Sequence, residues 1–273
     1  MDNGTYTLSD HEFTLFQRLL QTLAGVYLPP GKQSLLLSRL SRRLLHYQLP
    51  SFSAYYRLVT DPQHRTELQH MVDLLTTHET YFFREPAHFD FLRDYFQHSA
   101  PQQLFRVWSA ACSSGEEVYS IAMTLADCRP HGQWEVVGSD ISVKEIEKAR
   151  RGHYQMERID GIPNGYLQRF CLKGVRQQSG SFLIQAALRK RTQFRQINLL
   201  TPLPNDLGLF DLIFLRNVMI YFETATKQKV IDQLTRTLQP GGYLVIGHSE
   251  TLNGLQHSLE AVRPTLYRRP LRA

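Results

Sequence analysis

The segment Ala110-Ala111-Cys112-Ser113-Ser114-Gly115-Glu116-Glu117 is the stretch of this sequence best suited to hold a small molecule. Its small residues let the backbone approach a ligand closely, and it continues an apolar run, 104–111, that reads as a buried strand. It lacks the G-x-G-x-x-G spacing of dinucleotide-binding loops, so as a generic nucleotide signal it is weak. Asp140 ends a second apolar run, WEVVGSD, 25 residues after Gly115. That spacing suits a carboxylate accepting hydrogen bonds from two ribose hydroxyls. The same aspartate reads equally well as the N-cap of the helix encoded by ISVKEIEKAR. The paired carboxylates of Glu116 and Glu117 would repel a pyrophosphate, so a dinucleotide or a nucleoside triphosphate fits poorly. A ligand with a sulfonium and an amino group fits better, which points to S-adenosylmethionine.

Other chemistries find less support. The eleven histidines include no H-E-x-x-H, and with the cysteines they form no local metal-binding spacing, so no metal is expected. The three cysteines, Cys112, Cys128 and Cys171, form no C-x-x-C pair, which favours a reducing, cytoplasmic compartment. Cys112 reads as a small packing residue rather than a nucleophile, and His248 as a residue serving backbone or packing. No Ser-His-Asp or Cys-His arrangement is evident.

The elements that must position this loop fall into two blocks. Of 273 residues, 42% are hydrophobic and 21% charged, which excludes wholesale disorder and gives room for about two domains. No apolar run approaches the ~20 residues of a membrane span, and MDNGTYTLSD has no apolar signal core behind it. In the first block, Ser9-Asp10-His11-Glu12 has the form of a capping box ahead of Phe13, Phe16, Leu19, Leu20 and Leu23, and Gly25 is a plausible stop. A second helix carries Leu36, Leu40 and Leu44, and shorter helices are expected over 52–59 and 63–75, making a small bundle. From 104 onward strands and helices alternate: strands at 104–111, 134–140, 210–217 and 241–249, helices at 117–128, up to 151, and 224–238. That order predicts a parallel sheet covered by helices. Between 166 and 196 the alternation lapses, and Gly174 and Gly180 suggest an inserted hairpin.

Six segments taken in order resemble the chemotaxis receptor methyltransferases, the CheR family, over nearly the whole chain: TTHETYFFRE (76–85), WSAACSSGEEVYSIA (108–122), GSDIS (138–142), INLL (197–200), FLRNVMIYF (214–222) and GGYLVIGHSE (241–250). The resemblance implies an all-α N-terminal domain over 1–78. It implies a class I, Rossmann-like methyltransferase domain over 79–273 with a small antiparallel β-subdomain inserted at about 166–196. It implies methyl transfer from S-adenosylmethionine to glutamate side chains of chemoreceptors, yielding methyl esters and S-adenosylhomocysteine. It also implies roles for residues. Thr80 and Arg84 match the T-x-F-F-R cofactor segment, with His78 where the family commonly has Asn. Ala111, Glu116 and Glu117 lie in the cofactor loop, the two acids where the methionyl portion binds. Asp140 matches the ribose-binding acid, and Asn198 and Leu199 the pair beside the adenine. Arg216, Asn217 and Tyr221 lie at the mouth of the site, and Arg84 and Tyr221 match the positions closest to methyl transfer. For Arg84 the plainer reading is a surface ion pair with Glu85 or Asp90; for Asn198 it is a turn before Thr201-Pro202. A glutamate carboxylate is already ionised at neutral pH, so no general base is required.

The net charge of +6 leaves nucleic acid, an anionic membrane or an acidic protein surface as partners. From Phe13 through Thr60 there is no acidic residue, and Arg39, Arg42 and Arg43 share one helix face. This is expected to be a docking surface for the glutamate-bearing helices of a receptor's cytoplasmic bundle. No RNA-binding motif and no N-P-P-Y loop is present, so neither nucleic acid nor membrane insertion is expected. A methyltransferase of RNA or a small molecule, or a cofactor-binding module without turnover, remain the alternative readings. Some family members grip a receptor-tail peptide at the β-subdomain; Arg176 replaces one of their glycines, which argues against such tethering here.

Overall fold

The computed structural model describes residues 6–100 and 103–271, so the first residues of the polar start lie outside it. The chain divides into two compact units. One runs to Thr77 and also takes in Tyr221–Thr226; the other comprises His78–Ile220 and the chain from Lys227. A single cut along the sequence at 78 misses that returning segment, which is tied in by backbone. Val26 forms an antiparallel bridge with Phe222, and the Tyr27 N–H donates to the Tyr221 carbonyl at 2.9 Å.

The first unit contains α1 (Asp10–Ala24), α2 (Gln33–His46), α3 (Phe52–Thr60) and α4 (Arg65–Leu75). The capping box forms as expected, and Gly25 ends α1 in the left-handed region at φ 71°. Glu12 does more than cap: its second oxygen accepts from the Ser53 N–H and hydroxyl at 2.7 and 2.8 Å, tying α3 to α1. Phe16, Leu20, Leu36, Leu40, Leu44, Phe52 and Tyr55 are fully buried between the helices.

The second unit begins with α5 (Ala87–His98), a helix the alternation did not reveal, and continues with β1 (Phe105–Ser109), α6 (Glu116–Cys128), β2 (Trp134–Asp140) and α7 (Val143–Arg151). There follow β3 (His153–Gln155), α8 (Tyr166–Phe170), β4 (Cys171–Lys173), β5 (Ser181–Ile184), α9 (Ala186–Arg189) and β6 (Thr192–Gln196). The chain closes with β7 (Phe210–Leu215), α10 (Thr224–Thr237), β8 (Leu238–Ile246), β9 (Glu260–Arg263) and β10 (Leu266–Arg268). The main sheet has the order β6-β2-β1-β7-β8-β10-β9, parallel from β6 to β8 and antiparallel in its last two strands. Val107, Trp108, Leu212, Ile213 and Phe214 of the central strands have no more than trace exposure, as expected for a sheet buried on both faces.

The inserted sheet differs from the expected hairpin over 166–196. It is three-stranded and antiparallel, β3-β5-β4, spanning 153–184, while β6 pairs in parallel with β2 in the main sheet. Both were concealed by weak patterning: β3 is three residues long, and of TQFRQ in β6 only Phe194 is buried. Likewise β8 starts at Leu238 rather than 241. The Pro240-Gly241-Gly242 run reads as a turn but forms an irregularity in the pairing with β7, with Gly241 at φ 81°.

Candidate functional site

In the main sheet the chain moves outward from β1 to β2 and β6, then returns to β7 on the other side of β1. Strand order therefore reverses between β1 and β7, and in open α/β sheets ligands bind beyond the carboxyl ends of the strands at such a reversal. The loop 110–115 leaves β1 at that point, and Gly115 caps α6 at φ 96°, where an added Cβ would lie 2.7 Å from the Cβ of Ala149. A glycine is required there by both backbone and space.

Asp140 stands beside this loop with its carboxylate anchored by backbone: Oδ2 accepts from the Ser113 N–H at 2.8 Å and Oδ1 from the Ser142 N–H at 2.9 Å. The helix cap is a different residue, since the Ser142 hydroxyl accepts from the Glu145 N–H and begins α7. Burial pushes the Asp140 carboxyl up, and the Ser142 N–H, the electrostatic influence of His78 and the Ser113 N–H pull against it. The Ser113 hydroxyl donates to the His78 carbonyl at 2.9 Å, joining the TTHETYFFRE segment to the loop. The Ile197 N–H donates to the Asp140 carbonyl at 3.0 Å, which brings Asn198 and Leu199 alongside. Asn198 also forms the expected turn, with Oδ1 accepting from the Leu200 N–H and its carbonyl from the Thr201 N–H.

A second cluster centres on Arg216, which is buried at the end of β7. Nη1 donates to Glu117 at 2.7 Å; Nη2 donates to the Arg84 carbonyl at 2.5 Å and lies 3.1 Å from Glu85. Its buried Nε has no partner among the described residues. Ser109 donates to the other oxygen of Glu117 at 2.7 Å. Burial acts to raise the Glu85 carboxyl, but the Arg216 charge and the His248 N–H outweigh it and hold it below its ordinary value. Asn217 sits at φ 59°, and the loop it opens is clasped by Glu250, whose carboxylate accepts from the N–H groups of Asn217, Val218, Met219 and Gly247 at 2.7 to 2.9 Å. Neither Glu85 nor Glu250 stood out among the sequence candidates, although both end a family-like segment.

Several expected site residues are placed differently. The Glu116 side chain has no exposed surface, and its oxygens are taken by Ser114 at 2.7 Å and Arg158 at 2.5 Å. It is thus a buried support rather than an acid presented with Glu117, and burial raises its carboxyl against the pull of Ser114 and Arg158. Arg84 does not pair with Glu85. Its guanidinium lies 5.4 Å from the Tyr81 ring centre and donates to the Glu79 carbonyl at 3.2 Å, remaining partly exposed with Thr80 nearby in the chain. Ala111 is half-buried in the loop. Tyr221 belongs to the helical unit. Burial holds the Cys112 thiol well above its ordinary value, in keeping with a packing role.

The basic face of α2 is also corrected. Arg43 makes a two-pronged pair with Glu67 of α4, at 2.8 and 2.5 Å, and Arg39 donates to the carbonyls of Leu74 and Thr76 at 3.0 and 3.1 Å. Only Arg42 of the three is exposed. The acid that compensates the helix lies beyond the acid-free stretch. In the β-subdomain Arg176 takes φ 54°, the region glycine favours, so the loop keeps a glycine-like backbone at the substituted position.

Similarity to known proteins agrees with this architecture. The family description "CheR methyltransferase, SAM binding domain" matches residues 78–267, and "CheR methyltransferase, all-alpha domain" matches residues 11–76. The chemotaxis protein methyltransferase of Escherichia coli (strain K12) is 38% identical over 262 residues, covering 95% of this chain and 91% of that protein. Chemotaxis protein methyltransferase 2 of Pseudomonas aeruginosa is 37% identical over 271 residues, covering 97% and 95%. The chemotaxis protein methyltransferase of Borreliella burgdorferi is 33% identical over 279 residues, covering 98% and 97%. With both domains matched and such relatives aligned end to end, the chain belongs to the CheR methyltransferase family.

Proposed function

We propose that this protein transfers a methyl group from S-adenosylmethionine to glutamate side chains on the cytoplasmic helical bundle of chemoreceptors, leaving S-adenosylhomocysteine and a glutamate methyl ester. The observation that carries the reading is the anchored Asp140 carboxylate at the strand-order reversal of a chain that matches the family's SAM-binding domain. The residues fit such a ligand. Each Asp140 oxygen accepts one backbone N–H and retains a lone pair for a ribose hydroxyl. Glu117, partly exposed and fixed by Ser109 and Arg216, offers an acceptor for an ammonium group. The half-buried Asn198 and buried Leu199 supply a polar edge and an apolar face suited to an adenine.

The bound donor supplies an electrophilic methyl on a good leaving group. The protein's own tasks are then position and exclusion of water. Arg84, partly exposed and free of Glu85, is available to orient a carboxylate by paired hydrogen bonds. It serves the donor's carboxylate or the non-attacking oxygen of the substrate, since neutralising the attacking oxygen would blunt it. For Tyr221 a role near methyl transfer rests on its place in the FLRNVMIYF segment alone. No helix of the described residues is long and apolar enough to cross a membrane, and a cytoplasmic location accords with the proposed substrate.

Incubation with tritiated methyl donor and receptor-rich membranes should give base-labile, volatile counts on the receptor. Stable label on RNA would favour the alternative methyltransferase, and tight donor binding without turnover a non-catalytic module. Because Arg39 and Arg43 serve the fold of the helical unit, the docking reading is best tested at Arg42. Arg42→Glu should slow receptor methylation severalfold with donor affinity in calorimetry unchanged; unaltered methylation would remove this arginine from the docking surface.

A further inference from the structure

Three side chains far apart in the sequence meet beside the Arg216 cluster. Glu85 and His88 have the Glu-x-x-His spacing that places two ligands together, and His248 arrives 163 residues after Glu85, from the turn that follows β8. One carboxylate oxygen of Glu85 and one ring nitrogen each of His88 and His248 all lie within 4.8 Å of one another. Glu85 Oε2 is 3.4 Å from His88 Nδ1 and 3.7 Å from His248 Nε2. A tetrahedral zinc ion with ligands at about 2.0–2.1 Å holds its donor atoms roughly 3.4 Å apart, so the first distance already fits and the second needs little closing. The third is closed by rotation of His248, whose side chain is 57% exposed.

The His88 nitrogen marks this as more than a chance cluster. His88 is 5% exposed, and its Nδ1 has no hydrogen-bond partner among the described residues, a costly condition for a buried polar atom. Its other nitrogen lies 2.8 Å from the Thr265 hydroxyl, the kind of outer contact that orients a metal-binding imidazole.

We propose that Glu85, His88 and His248 form a binding site for a divalent transition metal of the zinc class, with one position open to water. Arg216 opposes the ion, since Nη2 lies 3.1 Å from the same Glu85 oxygen. It keeps its bonds to Glu117 and the Arg84 carbonyl when that oxygen turns to a metal, but its charge weakens the site. The site is therefore one that fills when metal is abundant. Filling it would fix the turn after β8 to the segment that carries Arg84.

The test uses the full chain and the metal alone. Zn²⁺ titrated against a chromogenic indicator should show one saturable equivalent, and Co²⁺ should give visible d–d bands without thiolate charge transfer. His248→Ala, at an exposed position, should weaken both by at least about tenfold, and Glu85→Gln should do the same. Absence of saturable binding, unchanged affinity in His248→Ala, or a thiolate band on Co²⁺ would overturn the assignment.

Discussion

In the helical unit, Glu67 is 4% exposed and accepts from Arg43 twice, from Tyr47 at 3.1 Å and from Tyr55 at 2.6 Å. In the methyltransferase unit, Arg216 is equally buried, but it divides its donors among Glu117, Glu85 and the Arg84 carbonyl and keeps a buried Nε without a partner among the described residues. Both centre on an arginine with carboxylate, and their degree of satisfaction differs. The Glu67 carboxylate is held below its ordinary value: burial raises it, and Arg43 with the two tyrosines outweighs that. Such a network holds helices together and has little capacity for anything else. The Arg216 network, by contrast, holds Glu117 partly exposed, ties in the Arg84 backbone and retains unmet donor capacity at Nε. Buried polar groups are normally satisfied, and the place where satisfaction is incomplete is where a ligand is expected.

The comparison breaks most directly at Glu67. Glu67→Ala strands a largely buried guanidinium and a buried tyrosine hydroxyl, and should cost about 3–5 kcal/mol of stability in denaturant unfolding. The combined variant Arg43→Met, Glu67→Leu and Tyr55→Phe removes the guanidinium, the carboxylate and the buried hydroxyl, leaving only the partly exposed Tyr47 hydroxyl to turn to water, and should lie within about 1 kcal/mol of the parent. A single variant as mild as the triple would show that the network holds nothing together. At the other network the expectation moves from stability to activity. Arg216→Met should lower kcat/KM for methyl transfer at least about 100-fold, roughly 2.7 kcal/mol, with circular dichroism preserved. Arg216→Lys should fail to restore it, because a single ammonium cannot span two carboxylates and a carbonyl. Transfer close to the parent rate in either variant would equate the two networks.

How each network could be read from sequence also differs. The loop at 110–117 and Asp140 were visible because strand, small-residue turn and acid follow one another locally. The segments carrying Arg84 and Arg216 were visible through family resemblance. What joins them was not: Arg216 meets Glu85 across a sequence separation of 131, and no periodicity encodes that. Glu116 and Glu117 look alike as neighbours, yet successive helix positions point about 100° apart, so one is buried and the other partly exposed. The same limit concealed Glu67, which lies just outside the acid-free stretch and turns Arg43 from a docking residue into a structural one. Short, weakly patterned strands such as β3 and β6 owe their place to pairing with distant partners.

A smaller effect is expected at Glu250. Its carboxylate receives four N–H groups, and an amide offers only one oxygen to accept them. Glu250→Gln should therefore loosen the Asn217–Met219 turn, costing about 1–3 kcal/mol and raising KM for the methyl donor more than it lowers kcat. An unchanged KM with reduced stability would make Glu250 a structural clasp alone.

The finest distinction between the units lies in the sign of their acid response. For Glu12, burial acts to raise the carboxyl, but bonds from Ser9 and Ser53 outweigh it and hold the group at about 2, below the ordinary 4.5. A depressed folded value means that its contribution is fully present above about pH 4.5 and is lost as pH falls toward 2. Glu116 runs the other way: burial raises it, so its contribution is fully present below its ordinary value and is lost as pH rises through the folded one. Comparing each variant with the parent isolates the group from its neighbours. Glu12→Gln should destabilise α1 at neutral pH, with the deficit shrinking between pH 4.5 and 2. Glu116→Gln should show its most favourable difference from the parent at neutral pH, and that advantage should shrink on acidification. Amide exchange protection in α1 and α6 measures both, and differences of the same sign in the two helices would dissolve the contrast between a satisfied acid and a strained one.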